Sequence, residues 1–303
     1  MAPIKTSWNR LIRFVAAETS QVHIGEPVDR WQDVGLASHK KQTIKAYEIV
    51  GSALDPAAQV TNNVLTVKQL LPPLTREQIG VVRCLGLNYG DHAAEAGLAK
   101  PKYPILFYKP PAALIGPDAP ITIPKVTQPV DQHLPDYEVE LTIVIGKAAK
   151  NVSEADALDY VIGYTGANDM SFRYHQMAVS QWGFSKGYDD ATPIGPCLVS
   201  TTAIPDPQRL GLKCTLNGKV MQDGTTADQL FSVRQTVAFL SQGTTLHPGS
   251  VIMTGTPKGV GFAKKPAVYL KHGDQVTVWV DGGIGTLVND VVEEGKGAIK
   301  AKL

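Results

Sequence analysis

The chain has 303 residues, a formal net charge of +1, 43% hydrophobic residues and 19% charged residues, a balance typical of folded globular proteins. This length can bury one large core or two unequal ones. The near-neutral charge, without runs of Lys or Arg, excludes the basic face that nucleic acid binding requires, and no apolar stretch is long enough to span a bilayer.

The cysteines and the N-terminal segment indicate the cellular compartment in which the protein is expected. Cys84, Cys197 and Cys214 show no CxxC spacing, which argues against a disulfide framework or a zinc site and fits a reducing compartment. The basic segment before Glu18 has some character of a transit peptide. A first strand at Leu11–Val15 is the better interpretation, so we expect a cytoplasmic protein.

Residues 10 to about 70 alternate short apolar runs with turn residues, which predicts a small, mostly β unit. The runs are LIRFV, VHIGEPV, AYEIV and NVLTV. Pro72 and Pro73 cannot lie inside a regular β-ladder, so we place a linker at 70–78. We therefore predict a small N-terminal domain at 1–78.

From residue 79 the pattern changes to longer strands that glycines and prolines separate, which predicts a second, larger domain at 79–303. The predicted strands are VVRCLGLNY, YPILFYKPP, YEVELTIVIG, GLKCTLNGKVMQ, SVIMTG and QVTVWVDGGIGTLVNDV. DHAAEAGLA reads as a short helix, and SEADALDYVIGY and FSVRQTVAFLSQG as longer ones, the former with a Ser–x–x–Asp cap. The predicted fold class is mixed α+β, dominated by strands.

The segment DYEVELTIVIG places two carboxylates on one face of a strand. Residues two apart project to the same side, so Glu138 and Glu140 lie together while Val139 and Leu141 face a core. Such carboxylates repel unless water or a cation separates them, and Mg²⁺ or Mn²⁺ prefers oxygen ligands. A solvated strand face is the simpler interpretation of Glu-x-Glu alone. Asp169, after a predicted helix, adds a third carboxylate, or is an ordinary cap or turn residue.

Three further segments carry polar side chains that suit chemistry. In GLNYGDHAAEAG, His92 and Glu95 lie three apart on a helix and share a face, and a carboxylate beside an imidazole favours a general base. A surface ion pair is the alternative. Lys186 lies in the turn-rich segment KGYDDATPIGP, and a lysine in such a loop, considered alone, is interpreted as solvated. GTPKGVG looks like a phosphate loop, but Pro257 removes an amide donor, which argues against nucleotide binding. The threonine hydroxyls and remaining amides of this loop are better suited to binding a carboxylate.

In combination these blocks resemble the fumarylacetoacetate hydrolase family. GLNYGDHAAEAG, DYEVELTIVIG, GYTGANDMSFR, KGYDDATPIGP, GTPKGVG and GGIGTLVNDV follow the order of the family's conserved blocks from about residue 80 to about residue 293. The closest members are of the acylpyruvate hydrolase and oxaloacetate decarboxylase type. The resemblance implies a β-roll catalytic domain, commonly dimeric, preceded by a small β-rich domain.

The resemblance also implies a role for each matching residue. It implies that Mg²⁺ or Mn²⁺ is bound by Glu138, Glu140 and Asp169. It implies a catalytic dyad, His92 and Glu95, on a helix that covers the site when substrate binds, and a Lys186 that holds substrate oxygen or developing negative charge. The residues implied to bind substrate are Arg173, Gln176 and Thr256, the last receiving the substrate carboxylate.

The segment MSFRYHQ departs from the family pattern, which often has a small residue before the arginine and an acid after it. We therefore expect Phe172, Tyr174 and His175 to reshape the pocket. His175 is a second candidate base, although a packing neighbour is the simpler interpretation. His133, just ahead of the implied ligands, is expected to be structural or to face the substrate.

The implied function is cleavage of a C–C bond in a small 2-oxo acid through a metal-stabilised enolate. Either an acylpyruvate is hydrolysed, with His92 activating water, or oxaloacetate loses CO₂. An isomerase or hydratase of an unsaturated 2-oxo acid is the alternative, and the presence of the dyad counts against it. A non-catalytic binding protein should show erosion of these residues, which are all present. We expect the protein to be a homodimer. Its expected binding partner is the small 2-oxo acid substrate.

Overall fold

The structure, a computed structural model, describes residues 2–296. Its N-terminal part contains strands β1 Arg10–Ala16, β2 Val22–Pro27, β3 Lys45–Val50 and β4 Gln59–Leu71, with helix α1 Val34–His39 between β2 and β3. The four predicted strands are thus confirmed. Strands β1 and β3 each pair with both β2 and β4, all antiparallel. The four strands therefore close into a small barrel.

The remainder is also dominated by strands. These are β5 Val82–Gly86, β6 Ile105–Lys109, β7 Leu114–Ile115, β8 Ile121–Ile123, β9 Pro135–Asp136, β10 Val139–Ile145, β11 Val161–Asn168, β12 Ser171–Phe172, β13 Thr192–Ser200, β14 Gly211–Leu216, β15 Lys219–Thr225, β16 Val251–Met253, β17 Gln275–Val280 and β18 Gly285–Glu293. The helices are α2 Gly90–Glu95, α3 Val130–His133, α4 Arg173–Ala178, α5 Gly183–Lys186 and α6 Val233–Leu240. The mixed α+β, strand-dominated class is confirmed.

Helices are short throughout. Helix α6 confirms the prediction for FSVRQTVAFLSQG, and it begins with a capping box in which Ser232 and Gln235 exchange hydrogen bonds between side chain and backbone. Helix α2 confirms the prediction for DHAAEAGLA. Over residues 2–296, no helix has the length and apolarity needed to cross a membrane.

Two sheets organise the molecule. The longer one runs β2-β3-β4-β1-β13-β11-β10-β16-β5-β6, with β7 beside β13, and the second runs β15-β14-β17-β18-β8. Strands β9 and β12 form a separate two-stranded sheet. The barrel joins the longer sheet because β1 pairs with β13, where Leu11 lies opposite Leu198. The boundary between domains at 1–78 and 79–303 stays a prediction.

Strand β10 lies at the centre of the longer sheet, between β11 and β16, and all its residues are buried. Val139, Leu141 and Ile143 face a core to which Val278 of the second sheet contributes. Val144 faces a separate core on the other side. The predicted alternation is confirmed, and it turns Glu140 away from the shared core.

The predicted helix SEADALDYVIGY is wrong. The segment forms a 3-10 turn, Ala157–Tyr160, and then enters β11 at Val161. The predicted cap does form, because the Ser153 hydroxyl oxygen accepts the amide of Asp156 at 3.2 Å. However, the β-branched pair Val161–Ile162 favours extended backbone, and β11 pairs with both β10 and β13. Asp169 therefore follows a strand instead of a helix.

The contact between α1 and β18 gives a stability prediction. A Cβ atom added to Gly35 would overlap the carbonyl oxygen of Thr286, so Gly35→Ala should cost about 1–3 kcal/mol of unfolding free energy. Gly80→Ala is the control, since an added Cβ there has nothing within 4 Å, and its stability should stay equal or rise by up to about 1 kcal/mol. Urea unfolding followed by circular dichroism measures both. Equal midpoints for the two variants would contradict this packing.

Candidate active site

Three carboxylates meet where β10 begins and β11 ends. Glu138 directly precedes β10, Glu140 lies within it and Asp169 directly follows β11. The backbone amide of Asp169 donates to the carbonyl oxygen of Glu138 at 2.9 Å, which places the two side chains together. One oxygen from each carboxylate lies within 4.8 Å of the others. The three side chains are only 6%, 1% and 0% exposed, which excludes a solvated strand face.

Cationic side chains neutralise two of these carboxylates. The Lys186 ammonium donates to Glu138 at 2.9 Å and to Asp169 at 2.7 Å. Lys109 donates to the other oxygen of Asp169 at 2.6 Å, and Arg173 contacts Glu138 at 2.7 Å. Burial alone would raise the pKa of Glu138, but the charges of Lys186 and Arg173 outweigh it and hold that pKa below its usual range.

Glu140 is different, because no cationic side chain within residues 2–296 lies at ion-pair distance from it. One of its oxygens accepts the amide of Gly255 at 2.7 Å. Burial, and then the charges of Asp169 and Glu138, raise the pKa of Glu140 well above its usual range. A buried oxygen-only donor set that includes a carboxylate without a counter-charge fits a hard divalent cation. The residues present therefore fit Mg²⁺ or Mn²⁺ held by Glu138, Glu140 and Asp169.

Sequence reasoning missed Lys109. Its side chain is 2% exposed, and besides Asp169 it donates to the carbonyl oxygen of Ala191 at 2.8 Å. The available signal was a lysine in the apolar strand YPILFYKPP, two residues after Phe107 and therefore on the same, buried face. A lysine on such a face requires an anionic partner.

Sequence reasoning also missed Asp136, which fixes Arg173. Two nitrogens of the Arg173 guanidinium donate to one Asp136 oxygen at 3.0 and 2.8 Å. The amides of Gly261 and Phe262 donate to the same carboxylate at 2.7 and 2.9 Å. Arg173 also donates to the side chain of Gln176 at 2.8 Å. Asp136 thus fixes Arg173, and Arg173 in turn orients Gln176, two of the three predicted substrate-binding residues.

The predicted dyad lies on one face of α2. Nδ1 of His92 is 3.5 Å from a carboxylate oxygen of Glu95, longer than a hydrogen bond. This buried nitrogen receives no hydrogen bond from any described residue. Glu95 instead accepts the amide of Gly259 through both oxygens, at 2.9 and 3.1 Å. Because catalytic hydrogen bonds are often long in the absence of substrate, this separation is compatible with the predicted dyad, whose role stays a prediction.

A cavity of about 650 Å³ brings most of the predicted residues together. Its walls include His92, Glu95, Glu138, Arg173, Gln176, Lys186 and Thr256. Glu140 and Asp169 do not line it. The rest of the wall is largely apolar, with Leu98, Ile105, Phe107, Met177, Trp182 and Phe262. The cavity therefore has a charged end and an extended apolar wall.

The hydroxyl of Thr256 already has partners. It donates to the carbonyl oxygen of Val139 at 2.8 Å and accepts from the Gln222 side chain at 2.7 Å. Its hydroxyl proton would have to turn away from Val139 to reach a substrate carboxylate. The role of Thr256 in binding that carboxylate stays a prediction.

The side chains that depart from the family pattern do not line the cavity. Phe172 is fully buried and packs edge-on against Tyr188, with ring centres 5.0 Å apart. Nδ1 of His175 lies 2.9 Å from the Tyr188 hydroxyl, and the His133 ring packs against both His175 and Tyr174. These residues form an aromatic cluster outside the cavity wall, and the expectation that they reshape the pocket stays a prediction.

Comparison with known proteins places the chain among relatives of similar architecture. Residues 81–292 match the family described as Fumarylacetoacetate (FAA) hydrolase C-terminal. Caffeoylpyruvate hydrolase from Neonothopanus nambi is 59% identical over 97% of this chain and 96% of its own. Oxaloacetate tautomerase FAHD2A, a mitochondrial protein of Homo sapiens, is 41% identical over 73% of this chain and 69% of its own. The crystal structure of 2-hydroxyhepta-2,4-diene-1,7-dioate isomerase from Mycobacterium marinum is 32% identical, covers 95% of this chain and 100% of its own, and has a TM-score of 0.77.

The buried contact between Lys109 and Asp169 gives a second stability prediction. Lys109→Met removes the ammonium but keeps much of the side-chain volume, so it should cost about 3–5 kcal/mol in the presence of a chelator, because Asp169 loses a buried partner. The control is Lys213→Met, whose exposed pair with Asp223 spans 3.5 Å and should contribute less than about 1 kcal/mol. Urea unfolding of chelated protein measures both losses. A loss at Lys109 no larger than that of the control would show that the buried pair does not stabilise the fold.

Proposed function

Because this chain belongs to the fumarylacetoacetate hydrolase family and is an enzyme, we propose that it hydrolyses an acylpyruvate with an extended, largely apolar acyl group. The observation that carries the proposal is the apolar wall beyond the charged end of the cavity, formed in part by Leu98, Ile105, Met177 and Trp182. Oxaloacetate has no group that would use this wall. The similarity to caffeoylpyruvate hydrolase, a protein named for such a substrate, supports the same choice.

The charged end suits the 2-oxo acid head. Burial alone would lower the pKa of Lys186, but the charges of Asp169 and Glu138 outweigh it and raise that pKa, so the ammonium stays protonated. Lys186 and the guanidinium of Arg173 therefore present fixed positive charge to a carboxylate or a developing oxyanion. We assign substrate binding to Arg173, Gln176 and Thr256.

The carboxylates of Glu138, Glu140 and Asp169 would hold Mg²⁺ or Mn²⁺, which when bound supplies a Lewis acid for negative charge that develops on the 2-oxo group. The chain's own contribution is to fix these ligands. Lys109 and Lys186 hold Asp169 from two sides, and Arg173 shares Glu138 with Lys186. These contacts keep the carboxylates of Glu138 and Asp169 in one arrangement.

We assign the proton transfers to the dyad. His92 takes a proton from water while the water oxygen bonds to the distal carbonyl carbon, and Glu95 orients the imidazole and stabilises its charged form. The bond between that carbon and C3 then breaks, and its electron pair goes to C3. The proton on His92 is returned to C3, giving pyruvate and a carboxylic acid.

Decarboxylation or tautomerisation of oxaloacetate is the second candidate, favoured by the similarity to oxaloacetate tautomerase FAHD2A. Loss of CO₂ from oxaloacetate needs the same charge stabilisation but no attacking water. Isomerisation or hydration of an unsaturated 2-oxo acid is less favoured, because His92 and Glu95 are both present at the cavity.

We also propose that the protein is a cytoplasmic homodimer. Analytical ultracentrifugation would measure the number of subunits.

Removal of one proposed metal ligand gives the third prediction. Glu140→Gln deletes a carboxylate that has no ion pair to break, so the fold should remain while Mg²⁺ or Mn²⁺ binding weakens and turnover falls by at least about 10²-fold, the scale of losing one charge-stabilising group. Isothermal titration with Mn²⁺ and steady-state kinetics measure the two effects. Full activity in this variant, or in wild-type protein after exhaustive chelation, would rule out the metal site.

Substrate choice and the dyad are tested together in the fourth prediction. Wild-type protein with Mg²⁺ should release pyruvate faster from caffeoylpyruvate than from acetylpyruvate, by at least about tenfold in kcat/KM, because the larger acyl group buries more apolar surface. His92→Ala should slow this hydrolysis by at least about 10²-fold. Any decarboxylation of oxaloacetate should fall less, since the three carboxylates remain. Chromatography of the products with equal protein and Mg²⁺ measures all three rates.

The controls separate the alternatives. Glu95→Gln should act in the same direction as His92→Ala but more weakly, because it orients the base without taking the proton. Equal losses in hydrolysis and decarboxylation would assign the dyad to closing the site. An unchanged hydrolysis rate in His92→Ala would exclude His92 as the base; His175, the second candidate in the sequence, does not line the cavity.

A further inference from the structure

Helix α2 carries the proposed dyad, yet little of its own sequence stabilises it. It spans six residues, Gly90–Glu95, and its N-cap residue, Tyr89, makes no side-chain capping bond. Isolated helices of this length do not persist in water, because the cost of nucleation exceeds the gain from so few hydrogen bonds. Other parts of the chain must therefore hold the helix in place.

Asp228 supplies the missing cap from a distant part of the sequence. It ends the 3-10 turn Thr226–Asp228, and its carboxylate accepts the backbone amide of Asp91 at 2.7 Å. Asp91 is the second residue of the helix, and its amide is one that an N-cap side chain normally accepts. A bridge between Tyr89 and Gln229 keeps the two segments side by side.

Gly90 permits this close approach. A Cβ atom on Gly90 would lie 3.1 Å from one oxygen of Asp228, so a larger residue would press directly on the capping carboxylate. The loop 254–261 holds the other side of the helix. Its Lys258 amide donates to Asp91 at 3.2 Å, in addition to the contact between Gly259 and Glu95. Contacts at Asp91 and at Glu95 therefore hold both ends of α2, the helix that carries the dyad.

We propose that Asp228 is a positioning residue that holds His92 at the cavity by capping α2. Asp228 is not among the residues that line the cavity, so it acts on the reaction through the helix. The inference rests on the proposed function, in which His92 is the general base. It assigns a role to a residue more than 130 positions away from that base.

The test compares Asp228→Ala with Asp228→Asn, each alone and combined with His92→Ala. Loss of a cap lowers the ratio of ordered to frayed helix by about 2- to 30-fold, so Asp228→Ala should lower kcat for acylpyruvate hydrolysis, by at most that factor, with a smaller change in KM. Asp228→Asn should stay near wild type, because asparagine caps as well as aspartate. In the His92→Ala background, Asp228→Ala should cause no further loss.

Two kinetic outcomes overturn the proposal. One is an unchanged kcat in Asp228→Ala. The other is an equal further loss when Asp228→Ala is added to His92→Ala, which would mean that Asp228 acts on the fold or on substrate binding independently of the base. The double-variant comparison is decisive because a purely structural role would not depend on His92.

Amide hydrogen exchange tests the cap without any substrate. Exchange in the peptide that contains Gly90–Glu95 should be about 2- to 30-fold faster in Asp228→Ala, whereas exchange in β10 should not change. Unchanged exchange in that peptide also overturns the capping role. If wild-type protein hydrolyses no acylpyruvate, the proposed function fails, and the exchange result still decides whether Asp228 holds the helix.

Discussion

Glu138, Glu140 and Asp169 bring three carboxylates within 4.8 Å of one another in the interior of the protein, where an unpaired charge costs several kcal/mol. The surrounding structure follows from this constraint. Lys109, Lys186 and Arg173 are buried beside the carboxylates because only fixed positive charge makes such a cluster tolerable. Their arrangement leaves Glu140 without a counter-charge, which is where a divalent cation would compensate.

The two sides of the cavity differ in how they are built. Glu138 directly precedes β10, Glu140 lies within it and Asp169 directly follows β11, and both β10 and β11 are central, buried strands of the longer sheet. His92 and Glu95 stand on a six-residue helix that depends on contacts from Asp228 and the loop 254–261. Regions held by a few contacts open more easily than central strands. The structure thus places the carboxylates on or beside packed central strands, and the predicted dyad on a short helix that few contacts hold.

The same three carboxylates suit several reactions of 2-oxo acids, because each of these reactions develops negative charge on the 2-oxo group. What distinguishes them is whether a base must activate water and what the acyl group contacts. In the proposed mechanism, the first property belongs to the dyad on α2, and the second to apolar wall residues such as Leu98, Met177 and Trp182. Substrate preference in this protein is therefore expected to depend on α2 and the wall more than on the carboxylates.

The sequence by itself determined the features that depend on local periodicity. Alternation placed Glu138 and Glu140 on the face opposite Val139, and a spacing of three placed His92 beside Glu95. The residues and motifs also led to the family, and hence to the nine candidate site residues, whose roles stay predictions where no comparison tests them.

Only the tertiary structure decided the rest. It turned SEADALDYVIGY into a 3-10 turn and a strand, because pairing with β10 and β13 outweighs local helical preference. It also revealed the partners of Lys109, Asp136 and Asp228. The partners that these three residues hold lie 60, 37 and 137 positions away. Local patterns do not identify these partners, because each lies far away in the sequence and only the fold brings it to the charged residue.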